Sequence, residues 1–256
     1  MFEKIQKCLQ QIRHTKPLIL NVTNYVTMDF MANSLLALGA APVMSEDRDE
    51  LEELGTLASS ININIGTLTP QFLERAKTLV MLQSKPIVLD PVGAGATKIR
   101  TKAARELLPY VRIVRGNGSE IMALSTNDGK TLGVESTHGA HQALSAAQTL
   151  SKQHDLVVAI SGATDIIVNS TQTKSLGFGS LLMQYVTGMG CTLTAVIAAF
   201  QAVEADSFQA ALLGTTYFGL CGEQAALKTN APGSFKTAFI DSLYAPDFEL
   251  MREKLC

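Results

Sequence analysis

The chain has 256 residues, 46% of them hydrophobic and 17% charged, which excludes intrinsic disorder and allows a large buried core. A net charge of -2 leaves no basic excess to draw it to nucleic acid. The first residues carry no apolar run ahead of a small-residue cleavage site, and the most apolar stretch, residues 193–200, is too short to span a bilayer. With cysteines at 8, 191, 221 and 256 and no Cys-x-x-Cys pair, these features predict a cytoplasmic protein with free thiols and no membrane partner. The scarcity of charge also favours a subunit that buries part of its surface in an oligomer.

In chain order, PLILNVTN reads as a strand running into a loop. A helix follows through Phe30, Leu35, Leu36 and Leu38 and stops at Gly39. A short strand at residues 42–44 leads to an acidic helix over EDRDELEEL. Next come a strand in SSININIGTL, a helix over residues 69–83 and a buried strand in KPIVLDPVGAGAT. A helix at residues 101–108 precedes the strand VRIVRGN, and another helix begins near Ser119. Beyond a polar loop at residues 125–138, a helix over residues 140–152 leads to the strand DLVVAISG, and DIIVN and TKSLG form a hairpin or meander. The last third is helical, over residues 190–205, 208–227 and from Pro246 onward. This alternation predicts one α/β domain over residues 1–256, with a largely parallel sheet covered by helices on both faces.

Ligands of open α/β sheets bind beyond the carboxyl ends of the strands, and three strand exits carry unusual residues. In LDPVGAGAT, Asp90 closes a strand and Gly93 and Gly95 permit close backbone approach, against the alternative of a plain turn. In VRGNGSE, Glu120 is either a capping partner or, with Asp90, part of a hydrated magnesium site, and Arg115 is either a phosphate contact or an exposed cation without a role. In VTGMGCTLTAVIAAF, the glycines at 188 and 190 expose N–H groups at a helix start, the arrangement of an anion site. Cys191 at that terminus is expected to have its thiolate favoured, unless it is simply a core-facing thiol. His138 and His141 could share a helix face, but no Cys or carboxylate stands at ligand spacing, so a solvated helix start is expected there. The Gly-Lys-Thr of DGKTLG is not a P-loop, because Leu124 stands where that loop needs its first glycine.

The ordered segments NVTNYVTMDFMAN, LALGAAPVMS, NIGTLT, LDPVGAGAT, RGNGSEIMAL, ISGATD, VTGMGCTLTAV and APGSF resemble the hydroxyethylthiazole kinases of the ribokinase-like superfamily, over about residues 17–240. The resemblance implies a ribokinase-like α/β fold, a homotrimer with active sites between subunits, and transfer of the ATP γ-phosphoryl group to 4-methyl-5-(2-hydroxyethyl)thiazole. It implies that Asp90 and Glu120 lie near magnesium and the phosphates, and that Arg115 and Ser161 contact the nucleotide. Met44 and Gly188 match positions of the thiazole site, with Asn24, Gly66 and Thr67 beside it. Gly188, Gly190 and Cys191 match the anion-hole loop, where Cys takes the place of the Asp used as base by most relatives. Leu181 and Tyr185 depart from the pattern where Pro and a basic residue are usual, as does Met189, where a smaller residue is usual.

Overall fold

The computed structural model describes residues 1–83, 85–125 and 136–255. Its strands, numbered in chain order, are β1 (Leu18–Val22), β2 (Ala41–Met44), β3 (Ser60–Asn64), β4 (Ile87–Asp90), β5 (Ile113–Asn117), β6 (Val157–Ser161), β7 (Asp165–Val168) and β8 (Thr173–Leu176). They form one sheet in the order β2-β1-β3-β4-β5-β6-β7-β8. Pairing is parallel from β2 through β6, and the last two strands turn antiparallel. The parallel carboxyl ends therefore open onto one edge, where the strand exits singled out in the sequence meet.

Helices cover both faces, as a parallel sheet requires. On one side lie α1 (Phe2–Thr15), α2 (Met28–Leu38), α8 (Met189–Gln201), α9 (Ser207–Ala226), α10 (Pro232–Tyr244) and α11 (Phe248–Leu255). On the other lie α3 (Leu51–Leu57), α4 (Pro70–Leu82), α5 (Lys98–Leu107), α6 (Gly118–Ser125) and α7 (Ser136–His154). Strand alternation divides the apolar residues between two cores. Ile61 and Ile63 of β3 face the second set, while Asn62 and Asn64 face the first, where Asn62 reaches Met31 of α2. Each Leu or Ile fully withdrawn from water contributes about 1.5–3 kcal/mol. α8 packs across β1, β3 and β4 and is buried on every side from Thr192 to Gln201, which fixes its N-terminus against the strand ends.

The α/β class, the mixed sheet and the terminal antiparallel meander agree with the sequence reading. Several boundaries do not. The acidic helix starts at Leu51 rather than Glu46, because the Asp47 carboxylate accepts the Asp49 N–H in an Asx turn that delays it. α5 starts at Lys98, three residues early, where the Thr97 hydroxyl caps the Arg100 N–H. Two helices were not assigned from sequence. α1 carries apolar Phe2, Ile5, Leu9 and Ile12 at helical spacing, and α10 hides behind a turn-like Ala-Pro-Gly opening, with Pro232 at its first position. Most of the polar segment expected at residues 125–138, with Gly129 and Lys130, lies outside the described residues, as do the His138 side chain and Cys256. Cys8, Cys191 and Cys221 are free. Among the described residues no helix is long and apolar enough to cross a membrane.

Candidate active site

The strand-end crevice has two halves that meet at Asp90. The first half, over β1, β3 and β4, is a buried polar network. The Asn24 amide donates to Asn64 Oδ1 at 2.8 Å and to Cys191 Sγ at 3.5 Å, and its own oxygen accepts the Thr27 hydroxyl at 3.1 Å. Asn64 Oδ1 also accepts the Gly66 N–H at 3.0 Å, so its Nδ2 is committed to Asp90 Oδ2 at 2.9 Å. The Thr194 hydroxyl of α8 donates to the same Asp90 oxygen at 2.8 Å. An unbroken path of hydrogen bonds thus joins the thiol of Cys191 to the carboxylate of Asp90. Asn64 and Thr194 were not singled out from sequence, although two asparagines alternating with isoleucines in an otherwise buried strand are a readable signal.

Gly66 and Thr67 lie beside Asn24: a Cβ on Gly66 would stand 2.9 Å from Asn24 Cβ, and the Thr67 hydroxyl accepts the Tyr25 N–H at 3.3 Å. Met44 ends the edge strand β2, partly buried and opposite Asn21, outside this network. Gly188 has φ 94°, and a Cβ there would stand 2.8 Å from Thr27 Cγ2, so only glycine fits between α8 and the Thr27 turn.

The second half is a cleft of about 570 Å³ over β5 to β8, lined among others by Arg115, Asn117, Ser161, Asp165, Phe178 and Gly190. Arg115 is not an idle exposed cation. Its Nε donates to Ser161 Oγ at 2.9 Å, its guanidinium stands 3.7 Å from Asp90 Oδ2, and a Cβ on Gly190 would lie 2.6 Å from its Nη1. A positive charge and the first turn of α8 therefore face the same space. Asp165 accepts the Gly162 N–H at 3.0 Å, and burial raises its carboxyl above the usual range. The segment at residues 177–185 closes the far wall. Phe178 and Met183 seat against Gly219 and Gly222 of α9, where added Cβ atoms would stand 2.8 and 2.7 Å from them. Of the departures from the family pattern, Leu181 and Tyr185 are exposed, while Met189 is buried and lines the cleft.

Electrostatics correct one expectation. Burial, and next the negative charge of Asp90, raise the Cys191 thiol above its usual pKa, outweighing the amides of Asn64 and Asn24 and the charge of Arg115. The sulfur is held as a thiol. Burial likewise pushes the Asp90 carboxyl up to about 6, against the pull of Arg115 and with a further push from Glu120. Glu120 fills the capping role foreseen for it: its oxygens accept the Gly93 N–H at 2.9 Å and the Asn117 N–H at 2.8 Å, tying the β4 exit to the β5 exit. Asp90 Oδ1 is buried without a hydrogen-bond partner among the described residues. An unsatisfied buried carboxylate oxygen beside a second carboxylate suits a hydrated divalent cation, which takes one or two protein carboxylates.

The fold is shared with solved structures of kinases. A pyridoxal kinase from Staphylococcus aureus, 18% identical, superposes with a TM-score of 0.64 over 81% of this chain and 88% of its own. A hydroxyethylthiazole kinase protein from Pyrococcus horikoshii superposes with a TM-score of 0.90 at 36% identity, covering 98% of this chain and 96% of that one. The hydroxyethylthiazole kinase of Chlamydia abortus is 48% identical over 99% of this chain and 98% of its own length. The family model for the hydroxyethylthiazole kinase family matches residues 9–249, and the chain belongs to that family.

Proposed function

We propose that this protein transfers the γ-phosphoryl group of ATP to the hydroxyl of 4-methyl-5-(2-hydroxyethyl)thiazole, with magnesium, in the making or salvage of thiamin. The observation that carries this reading is the meeting of a cleft of about 570 Å³ and a buried polar side-chain network at Asp90 and the N-terminus of α8. Arg115 and Ser161 bind the nucleotide phosphates, and Asp90 and Glu120 are the residues that would hold the cation. When bound, magnesium neutralises charge on the transferring phosphates. The Gly188 and Gly190 turn and the amides of the first turn of α8 stabilise the transferred group. Met44, Asn24, Gly66, Thr67 and Gly188 receive the thiazole alcohol.

Cys191 orients the hydroxyl. Phosphoryl transfer has a loose transition state, so the alcohol keeps its proton until late and a thiol suffices to guide it. Asn24 fixes the sulfur for this task. The acceptor side lies toward the edge strand β2, near exposed Tyr25, Val26 and Leu36, and this supports a homotrimer whose subunits complete one another's acceptor pockets. The protein works in the cytoplasm as one domain.

The test is ADP release from ATP and magnesium with the thiazole alcohol, pyridoxal and hydroxymethylpyrimidine in parallel. Thiazole-dependent turnover is expected, and turnover with another alcohol alone would move the protein to a sister specificity. Cys191→Ala should slow turnover by about 10²-fold without abolishing it, and Cys191→Asp should stay active. A dead Cys191→Asp enzyme that still binds both substrates would remove the orienting role from this position.

A further inference from the structure

Arg100 stands where an arginine is electrostatically out of place. It lies in the first turn of α5 beside Lys98, and that turn holds no acidic residue. A cation there faces the positive end of the helix dipole. Its guanidinium is nevertheless committed: Nη1 donates to the Val92 carbonyl and Nη2 to the Gly66 carbonyl, each at 2.8 Å. The side chain lies across Gly93, whose φ is 79° and where a Cβ would stand 2.9 Å from Arg100 Cδ, so the glycine leaves room for it.

The two carbonyls are related by the sheet. Asn64 pairs with Asp90 at the end of the β3–β4 ladder, and the Ile65 N–H to the Asp90 carbonyl is the next bond beyond it. Gly66 and Val92 each lie two residues past that pair, where the chains diverge into different loops. One loop carries Gly66 and Thr67 toward the acceptor network. The other carries Gly93, whose N–H holds Glu120. We propose that Arg100 is a positioning residue that clamps the acceptor-side loop to the phosphate-side loop, setting the separation between the alcohol and the group it receives. A planar fork can hold two carbonyls from two chains at once, whereas a lysine ammonium on a flexible stem is a single point of attachment.

The catalytic part of this proposal rests on the kinase reading above, and the clamp itself does not. Two measurements separate them, using Arg100→Ala and Arg100→Lys with Lys98→Ala as control. Both Gly66 and Gly93 donate their N–H groups to side chains, so hydrogen exchange at these amides reports on the two loops. In Arg100→Ala both amides are expected to exchange about tenfold faster while β3 and β4 amides keep wild-type rates. Unchanged exchange at Gly66 and Gly93, or an equal rise throughout β3 and β4, would overturn the clamp whatever the enzyme phosphorylates.

In turnover, kcat should fall about 10–100-fold with KM for ATP and for the alcohol each moving less than about threefold, because alignment is lost rather than contact. Arg100→Lys should recover only part of kcat, and Lys98→Ala none of the defect should appear in. Guanidinium far below denaturing concentration should restore turnover to Arg100→Ala and leave the wild type unchanged. A wild-type kcat in Arg100→Ala, or a loss that guanidinium does not rescue, would overturn the positioning role. Absence of wild-type turnover with the thiazole alcohol would instead sink the substrate reading and leave the exchange result standing.

Discussion

The two halves of the crevice are built by opposite means. The proposed acceptor side is held by buried side chains bonded to one another, Thr27 to Asn24 to Asn64 to Asp90 to Thr194. The nucleotide side is an open cleft of about 570 Å³ whose walls are shaped by glycines that let Arg115, Phe178 and Met183 come close. Side-chain networks fix angles and distances, because every lost partner leaves a buried polar group unpaired. Glycine-lined walls fix shape and tolerate adjustment. A small acceptor that must be aimed belongs in the first kind of site, and a long nucleotide that must enter and leave suits the second.

Asp90 belongs to both halves, so its removal should have the largest effect. Asp90→Asn is expected to reduce turnover about 10²–10³-fold. It should also stabilise the ligand-free protein at neutral pH. The folded-state pKa of about 6 lies above the ordinary value of 3.8, so this group's contribution is intact below pH 3.8 and is lost as pH rises through 6. By pH 7.5 the ionised carboxylate costs about 3 kcal/mol relative to its protonated form. Thermal melts should show a gain of a few degrees for Asp90→Asn at pH 7.5 and almost none at pH 4. A variant less stable than wild type at pH 7.5 would mean that the carboxylate is satisfied without ligand.

Gly190→Ala strikes the cleft and the first turn of α8 and leaves the Asn24–Asn64 network in place. Its Cβ would stand 2.6 Å from Arg115 Nη1, so the guanidinium must move away from the first turn of α8. KM for ATP should rise about tenfold or more, and affinity for the alcohol, measured by calorimetry, should hold. Equal damage to both substrates would erase the division between the halves.

Asn62 sharpens the comparison from the acceptor side. It shares a face of β3 with Asn64, but its amide binds Asn21 Oδ1 at 3.0 Å and Met31 Sδ at 3.4 Å, one repeat away from the chemistry. Asn62→Ala should lower stability by about 1–3 kcal/mol in denaturant unfolding and leave both KM values and kcat at wild type. A kinetic defect would show that the network extends below Asn64. The smallest effect is expected for Gly222→Ala, because the atom in its way is Met183 Sδ, part of a flexible side chain. KM for ATP should move less than about threefold.

The difference in construction also decided what could be read from sequence. Gly188, Gly190, Asp90 and Arg115 stand out in the sequence, because glycines and charges at strand exits are local signals, whereas Ser161 enters only through the family resemblance. Alternating strands and helices gave the sheet, since hydrophobic period is local too. Asn64 and Thr194 escaped because their significance lies in which distant carboxylate they reach, 26 residues away for Asn64 and 104 for Thr194. The raised pKa of Cys191 escaped for the same reason: a helix terminus is visible in a sequence, whereas burial and the nearness of Asp90 are not. Arg100 carries a misleading local signal, since a basic first turn argues against a helix start there.

α8 has a further consequence for how such a protein can change over time. From Thr192 to Gln201 it has no outward face, and its first turn forms the meeting point of the two halves. A substitution along this helix is therefore felt by the core and by the chemistry together, and drift there is closed off. New acceptor preferences are expected to enter from the exits of β2 and β3, at Met44 on the edge strand and at Thr67, rather than at Gly66, where a Cβ would meet Asn24. The fold thus separates an invariant phosphate-handling axis from an adaptable rim, and lineages that diverge in substrate are expected to diverge at that rim first.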